Sequence, residues 1–556
     1  MRSRLFAILL CSAALWAQSS KAAKTAQDFR IAGVVYDATS GQSLPGARIS
    51  LGSTADNHVP DRSVLTGPDG AFVFERLAAD KYQMYGEAVG YPQQGFEQHE
   101  APYLTGVVVG PNIDSVHLIF RLQRGSVISG SVTDEFNDPV RQAQVMLFHR
   151  GLEDGRYSTH FSREAQTDDQ GRYKFASLLP GSYFIAVAAR PWYAHSSLEL
   201  TTQSEAMASS QVIENMKRLD VAFPLTFYSG ATSEIDATGI TVRNGDRTSA
   251  DIALHSMPSA SVTVKASGQK NGQIPFVRLS QQVFGDFEIP SQFQQRGAYP
   301  TLGADGTPTS SADMFLTGIA PGTYLAHITL PGAESDRVQP IEVSGDTVID
   351  PESMAPTGSA SIHGIVQMNG SAAPPHDAVI VIRNHNTNQT TASRVDEKGA
   401  FDFADLRPGT YEVSIANANN TFLLEMAATN AKVNGRAVTI TGSSHADLAI
   451  VLGKGMGEIH GVALRDDKGL GGTMVLLVPA NADFNSVLFR RDQSDSDGTF
   501  ALSQIVPGHY SVVAIDDGWD LEWSRSEVLK PYLAKAAKID VAANGKYDIK
   551  VQVQPK

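Results

Sequence analysis

One phrase recurs along the chain: a Pro-Gly turn, one further residue, then tyrosine and an apolar run. It reads LPGSYFI at 179–185, APGTYLA at 320–326, RPGTYEV at 407–413 and VPGHYSV at 506–512. Each copy closes a longer sentence, clearest in DDQGRYKFASLLPGSYFIAV (168–187), DEKGAFDFADLRPGTYEVSI (396–415) and SDGTFALSQIVPGHYSVVAI (496–515). GPDGAFVFERLAADKYQMYG (67–86) sets Ala79-Asp80 where the others have Pro-Gly, and SADMFLTGIAPGTYLAHI (311–328) lacks the first turn in register. The repeat tyrosines Tyr82, Tyr183, Tyr324, Tyr411 and Tyr510 stand 101, 141, 87 and 99 residues apart. A period that long means tandem domains rather than the short units of a solenoid.

The repeat has a physical reading. Asp-x-x-Gly is a turn in which the Asp side chain caps the backbone and Gly takes positive φ. Ala400-Phe401-Asp402-Phe403 then alternates as a half-buried strand does, with its aromatic face inward. Pro408-Gly409 turns the chain again, and Tyr411, Val413 and Ile415 share one face of the next strand. A tyrosine heading a strand after a tight turn resembles the tyrosine corner of Greek-key sandwiches. Each copy also has an upstream strand–turn–strand half, as in RIAGVVYDATSGQSLPGARISLG (30–52) and GEIHGVALRDDKGLGGTMVLLV (457–478), and a closing alternating run, as in HADLAIVLG (445–453). Short strands with frequent turn signals predict an all-β sandwich, and about 100 residues suffice for each to close a core. The expected fold is therefore all-β: five tandem Ig-like or transthyretin-like (prealbumin-like) β-sandwich domains, with a short helix near the C-terminus.

The constellation resembles the carboxypeptidase regulatory-like domain, a transthyretin-like β-sandwich related to Cna B-type and starch-binding-like folds. The residues that carry it are a Gly-x-Val strand, Leu44-Pro45-Gly46-Ala47-x-Ile49, Asp-x-x-Gly-x-Phe-x-Phe and Pro-Gly-x-Tyr. The resemblance implies the fold and an accessory role, since in that family the module accompanies a zinc peptidase. It does not carry an activity here. No His-Glu-x-x-His occurs, and His99-Glu100 and His149 to Glu153 have the wrong spacing for zinc. The Lys–Asn cross-link of Cna B-type units is not expected, because the first strands lack a lysine at the matching place.

The organisation expected is a signal peptide at 1–17, a linker at 18–29, and sandwiches at 30–124, 125–257, 258–357, 358–454 and 455–556. The second carries a long loop at 194–227 and the fifth a helical insertion at 524–537, where Ser524 or Ser526 would cap the helix and Leu529 and Leu533 would face inward. Arg2 and Arg4 before the apolar stretch Leu5–Trp16, then Ala17, follow the pattern of an export signal. Cys11, the single cysteine, lies inside that stretch, so the expected mature chain has no disulfide or cysteine metal site. No later run reaches the length of a membrane helix. A net charge of −14 argues against gripping phosphates, hence against a nucleic-acid partner.

Candidate sites come from residues outside the repeat. RPWYAH (190–195) and DDGWDLEWSRSEVLKPYLAKAAK (516–538) follow the last core strand of the second and fifth copies. That places Trp192, Tyr193, Trp519 and Trp523 at sandwich ends, where they either stack on a sugar or partner or staple the extra loop and helix to the sandwich. Asp495 and Asp497, two apart before Gly498, form a weak calcium candidate, with hairpin-turn chemistry as the bland alternative. No cofactor and no catalytic residue is expected. Joined end to end, the sandwiches would make a semi-rigid rod. The expected role is non-enzymatic, exported to the periplasm, outer-membrane surface or exterior, with an envelope or extracellular protein as partner. The alternatives are carbohydrate binding, with a polysaccharide as partner, and service as accessory subunit to a separately encoded peptidase or transporter.

Overall fold

The computed structural model describes residues 29–54, 62–113, 115–194, 218–265, 276–285, 287–297, 313–329, 337–351, 353, 360–370, 374, 377–385, 389–441 and 445–556. The expected export signal at 1–17 and nearly all of the expected linker, along with residues 195–217 of the long loop, lie outside the described residues. The rest is all-β apart from short helical turns.

Five buried clusters span Ile31–Leu122, Ile128–Leu254, Ala260–Ile349, Ala360–Leu452 and Ile459–Val551; the first four sit between pairs of sheets, and around the fifth the strand Lys546–Pro555 joins the two halves into one eight-stranded sheet. The fourth shows the plan. One sheet runs Ala400–Leu406, Ala360–Met368, His445–Lys454, Thr421–Thr429, and the other Thr390–Arg394, Val379–Asn384, Gly409–Ala416, Ala437–Ile440, Lys432–Asn434. The opening strand pairs antiparallel with the Phe-x-Phe strand and parallel with the closing strand, so Gly364 faces both Phe401 and Leu448. Gly461 repeats this against Phe500 and Ile549, and Gly33 against Phe72 and Leu118. A Cβ on Gly364 would run into the Phe401 ring and the Leu448 carbonyl, which is why the Gly-x-Val strand opens with glycine.

The turns obey the chemistry of their residues. Asp396 Oδ1 accepts the Lys398 and Ala400 amides at 2.9 and 2.7 Å, and Gly399 has φ 86°. Each repeat tyrosine donates its hydroxyl to the carbonyl four residues upstream: Tyr82 to Ala78 (3.1 Å), Tyr183 to Leu179 (2.8 Å), Tyr324 to Ala320 (2.6 Å), Tyr411 to Arg407 (2.6 Å) and Tyr510 to Val506 (2.7 Å).

Two features differ from the sequence reading. The helix runs only Ser526–Leu533, contains Pro531 and is capped by Arg525 with no side-chain bond. Ser524 and Ser526 are engaged elsewhere, with Gly155 and Asp483. Leu529 is fully buried, as the inward face requires. The second difference is larger: the sandwiches do not line up as a rod. The fifth packs against the first, second and fourth, so residues near 100 and 495 meet. The second and third share an aromatic seam of Phe148, Phe161, Phe227, Phe284 and Phe287.

Candidate functional site

The fate of the four loop aromatics separates two places. At the end of the second sandwich, the turn after the opening strand is tied by Asp134, whose Oδ1 accepts the Phe136 and Asp138 amides, both at 2.9 Å. Asn137 takes φ 65°, and the tightened turn thrusts Phe136 outward, 69% exposed. Beside it the chain leaves the strand Gly181–Ala188 and turns at Pro191, whose carbonyl accepts the Ala194 amide at 3.1 Å. Trp192 stands 81% exposed. Tyr193 lies between them, 5.8 Å from Trp192 at 89° and 6.0 Å from Phe136 at 68°.

Glu135 anchors this platform. Its Oε1 accepts the hydroxyls of Tyr193 and Ser256, and its Oε2 is buried with no hydrogen-bond partner. Burial raises this carboxyl, but the hydroxyl bonds from Ser256 and Tyr193, together with backbone hydrogen bonds from Glu135 and Ser256, outweigh it and hold it below the ordinary glutamate value. Burial, then the bond to Glu135, pushes Tyr193 up to about 12. At neutral pH the pair is a phenol donating to a carboxylate. Sequence reasoning singled out Trp192 and Tyr193 but missed Phe136, Glu135 and Ser256. The signal available was a bare phenylalanine inside the turn motif Asp134-Glu135-Phe136-Asn137-Asp138-Pro139.

Trp519 and Trp523 are instead 7% exposed each, which removes them as open stacking surfaces. Trp519 stacks flat on His99 of the first sandwich, 5.5 Å and 4°, beside Tyr103, and donates its indole N–H to the Gly472 carbonyl at 3.1 Å. The Arg491 guanidinium sits 4.7 Å from the ring centres of Tyr103 and Trp523 and grips Glu100 with both terminal nitrogens, at 2.8 and 2.7 Å. Trp523 packs on Phe489 and against Gly155 of the second sandwich, whose carbonyl accepts the Ser524 hydroxyl at 3.1 Å. These two tryptophans join domains because their partners lie far away in sequence, His99 420 residues from Trp519 and Gly155 368 residues from Trp523.

The calcium candidate is likewise committed. Asp495 is 4% exposed. Its Oδ1 accepts the Gly106 amide at 3.1 Å and its Oδ2 pairs with Lys81, both from the first sandwich. Asp497 Oδ1 takes the amide and hydroxyl of Thr499 at 3.0 and 2.6 Å, which is turn chemistry. Among the described residues, no group of three or more His, Cys, Asp and Glu side chains is arranged to hold a metal ion.

Both places sit on one class of scaffold, a string of β-sandwich modules. A model of the carboxypeptidase regulatory-like domain matches residues 30–111 and 127–213, so the chain carries tandem carboxypeptidase regulatory-like domains in its first two sandwiches. A model described as BOS complex subunit NOMO1-like, second beta sandwich domain, matches residues 360–446. No curated protein matches the chain. Among solved structures, the Bacillus anthracis TIE protein is 10% identical, over 96% of this chain and 76% of its own, with TM-score 0.17. The streptococcal ancillary pilin is 11% identical, over 58% and 98%, TM-score 0.18. The shaft pilin SpaA of Lactobacillus rhamnosus GG is 10% identical, over 42% and 98%, TM-score 0.19.

Proposed function

We propose that this chain is a non-enzymatic interaction protein, exported to the cell envelope or surface, that holds its modules together through the C-terminal sandwich and meets a partner protein through the Phe136–Trp192–Tyr193 platform. The modules are 30–124, 125–257, 258–357, 358–454 and 455–556. The observation that carries the reading is the contrast in exposure: Trp192 at 81% and Phe136 at 69%, against 7% for Trp519 and Trp523. An indole left in water beside a second large ring, on loops held by a rigid scaffold, is the composition of an interface anchor. The partner is an envelope protein, with a separately encoded peptidase or transporter among the forms it takes. The N-terminal Arg-flanked apolar stretch supports export.

The test is capture from a native envelope fraction with the wild-type chain and with a Trp192→Ala/Phe136→Ala variant. A partner retained by the first and lost by the second is expected, and equal retention by both refutes the platform as the contact. N-terminal sequencing of the exported protein should begin near residue 18, and an uncleaved intracellular product would refute export.

A further inference from the structure

We infer that the group received by the Phe136–Trp192–Tyr193 platform is an alkylammonium, a lysine side chain of the partner protein; this deepens the interaction reading and rests on it. The ring geometry decides against a flat ligand. A sugar stacked on several rings needs them nearly coplanar, whereas Trp192 and Phe136 stand at 89° and 68° to Tyr193. Rings set at steep angles to one another make walls, the arrangement that surrounds a cation with negative ring faces within about 6 Å.

The charges agree. Asp134, Glu135 and Asp138 all lie on the turn that carries Phe136. The Glu135 oxygen Oε2 has no donor to neutralise it. The Tyr193 hydroxyl, by donating to that carboxylate, leaves its own ring richer in electrons. The nearby cation Arg190 is turned to the Ala194 carbonyl, 3.1 Å away. The chain as a whole carries a net charge of −14, which draws basic partners and raises their encounter rate.

The experiment titrates the full-length protein with an N-acetyl-trilysine amide and follows indole emission, in which Trp192 is the exposed reporter among the described tryptophans. A saturable change is expected. It should vanish with the ε-acetylated trilysine peptide, which keeps the length and loses the charge. Glu135→Gln, which keeps an acceptor for Tyr193, should weaken it about fivefold, in line with a charge contact of ~1 kcal/mol. Phe136→Ala should abolish it. Equal response to charged and acetylated peptides, no response to either, or an unchanged Glu135→Gln titration overturns the inference. So does a response to choline or to a linear glucan in place of trilysine. Trp192-dependent capture of an envelope protein without a trilysine response would leave the interaction reading intact and sink this one alone.

Discussion

Single residues do two different jobs here. The repeat tyrosines hold a turn to a strand, and each does so with one bond of 2.6–3.1 Å to a carbonyl four residues back. Tyr411→Phe keeps the buried ring and deletes only the bond, so it should destabilise the fourth sandwich by about 1 kcal/mol. Hydrogen exchange of amides in Gly409–Ala416 would read this, and unchanged protection would show that water replaces the bond. Asp495 is a residue whose cost depends on pH. Burial, opposed by Lys81, pushes its carboxyl up to about 6 from 3.8. The folded chain therefore binds this proton more tightly than the unfolded chain does. Its stabilising contribution is present at low pH and is lost as pH rises from about 4 through about 6. In Asp495→Asn this downward slope should disappear from a plot of denaturation midpoint against pH; a slope equal to the wild type's would assign the titration to another group, such as Asp492, which burial also raises.

Secondary elements were legible wherever the code is local. The Asp-x-x-Gly turns, the alternating Phe-x-Phe strands and the Pro-Gly turn are written in residues whose backbone preferences leave little choice. The bulge between them was not. Arg76, Ser177 and Gln504 share no side-chain chemistry, yet each takes φ near 55°, just before Leu77, Leu178 and Ile505, where the ladder slips register. Gly318 has φ 74° in the third copy, so the position wants a left-handed residue, and of these four copies only the third spells it with glycine. A non-glycine there costs roughly 1 kcal/mol, so Gln504→Gly should raise stability by up to about 1 kcal/mol despite the added freedom of the unfolded chain. A fall in the melting midpoint would mean that the Gln504 side chain, not its backbone, matters. The helix was overdrawn at both ends: Leu529 and Leu533 lie inside it, but its start has only the bare cap at Arg525 and its last turn loses an amide donor at Pro531, so it stops at Leu533 instead of reaching 537.

The whole molecule was the least legible level. Hydrophobic periodicity reports which face of an element is buried, but not whether the partner lies ten residues away or four hundred. Trp192 and Trp519 follow equivalent strands in similar loops, and no local rule distinguishes the one left in water from the one set on His99. What closes the chain is a set of polar contacts around an aromatic centre: Arg491 with Glu100, Gln493 with the Glu97 carbonyl and Thr105 at 2.7 Å each, Ser496 with Gly106 at 2.9 Å and Val108 at 2.9 Å. Arg383 adds a link from the fourth sandwich to both Asp154 and Ser486. Arg491 is the member whose loss is felt twice, since it neutralises Glu100 and fills the space between Tyr103 and Trp523. Arg491→Ala should cost about 3–5 kcal/mol at this junction, because the partly buried carboxylate is left unpaired. The sandwiches themselves keep their cores, so the expected result is opening rather than unfolding: a larger radius of gyration by small-angle scattering and a red shift of indole emission as Trp519 and Trp523 meet water. The strand amides in the five cores should stay protected from exchange. Unchanged scattering and emission would show that the remaining contacts suffice to hold the first and last sandwiches together, and loss of core protection would mean that the junction is part of the fold and not a joint between finished modules.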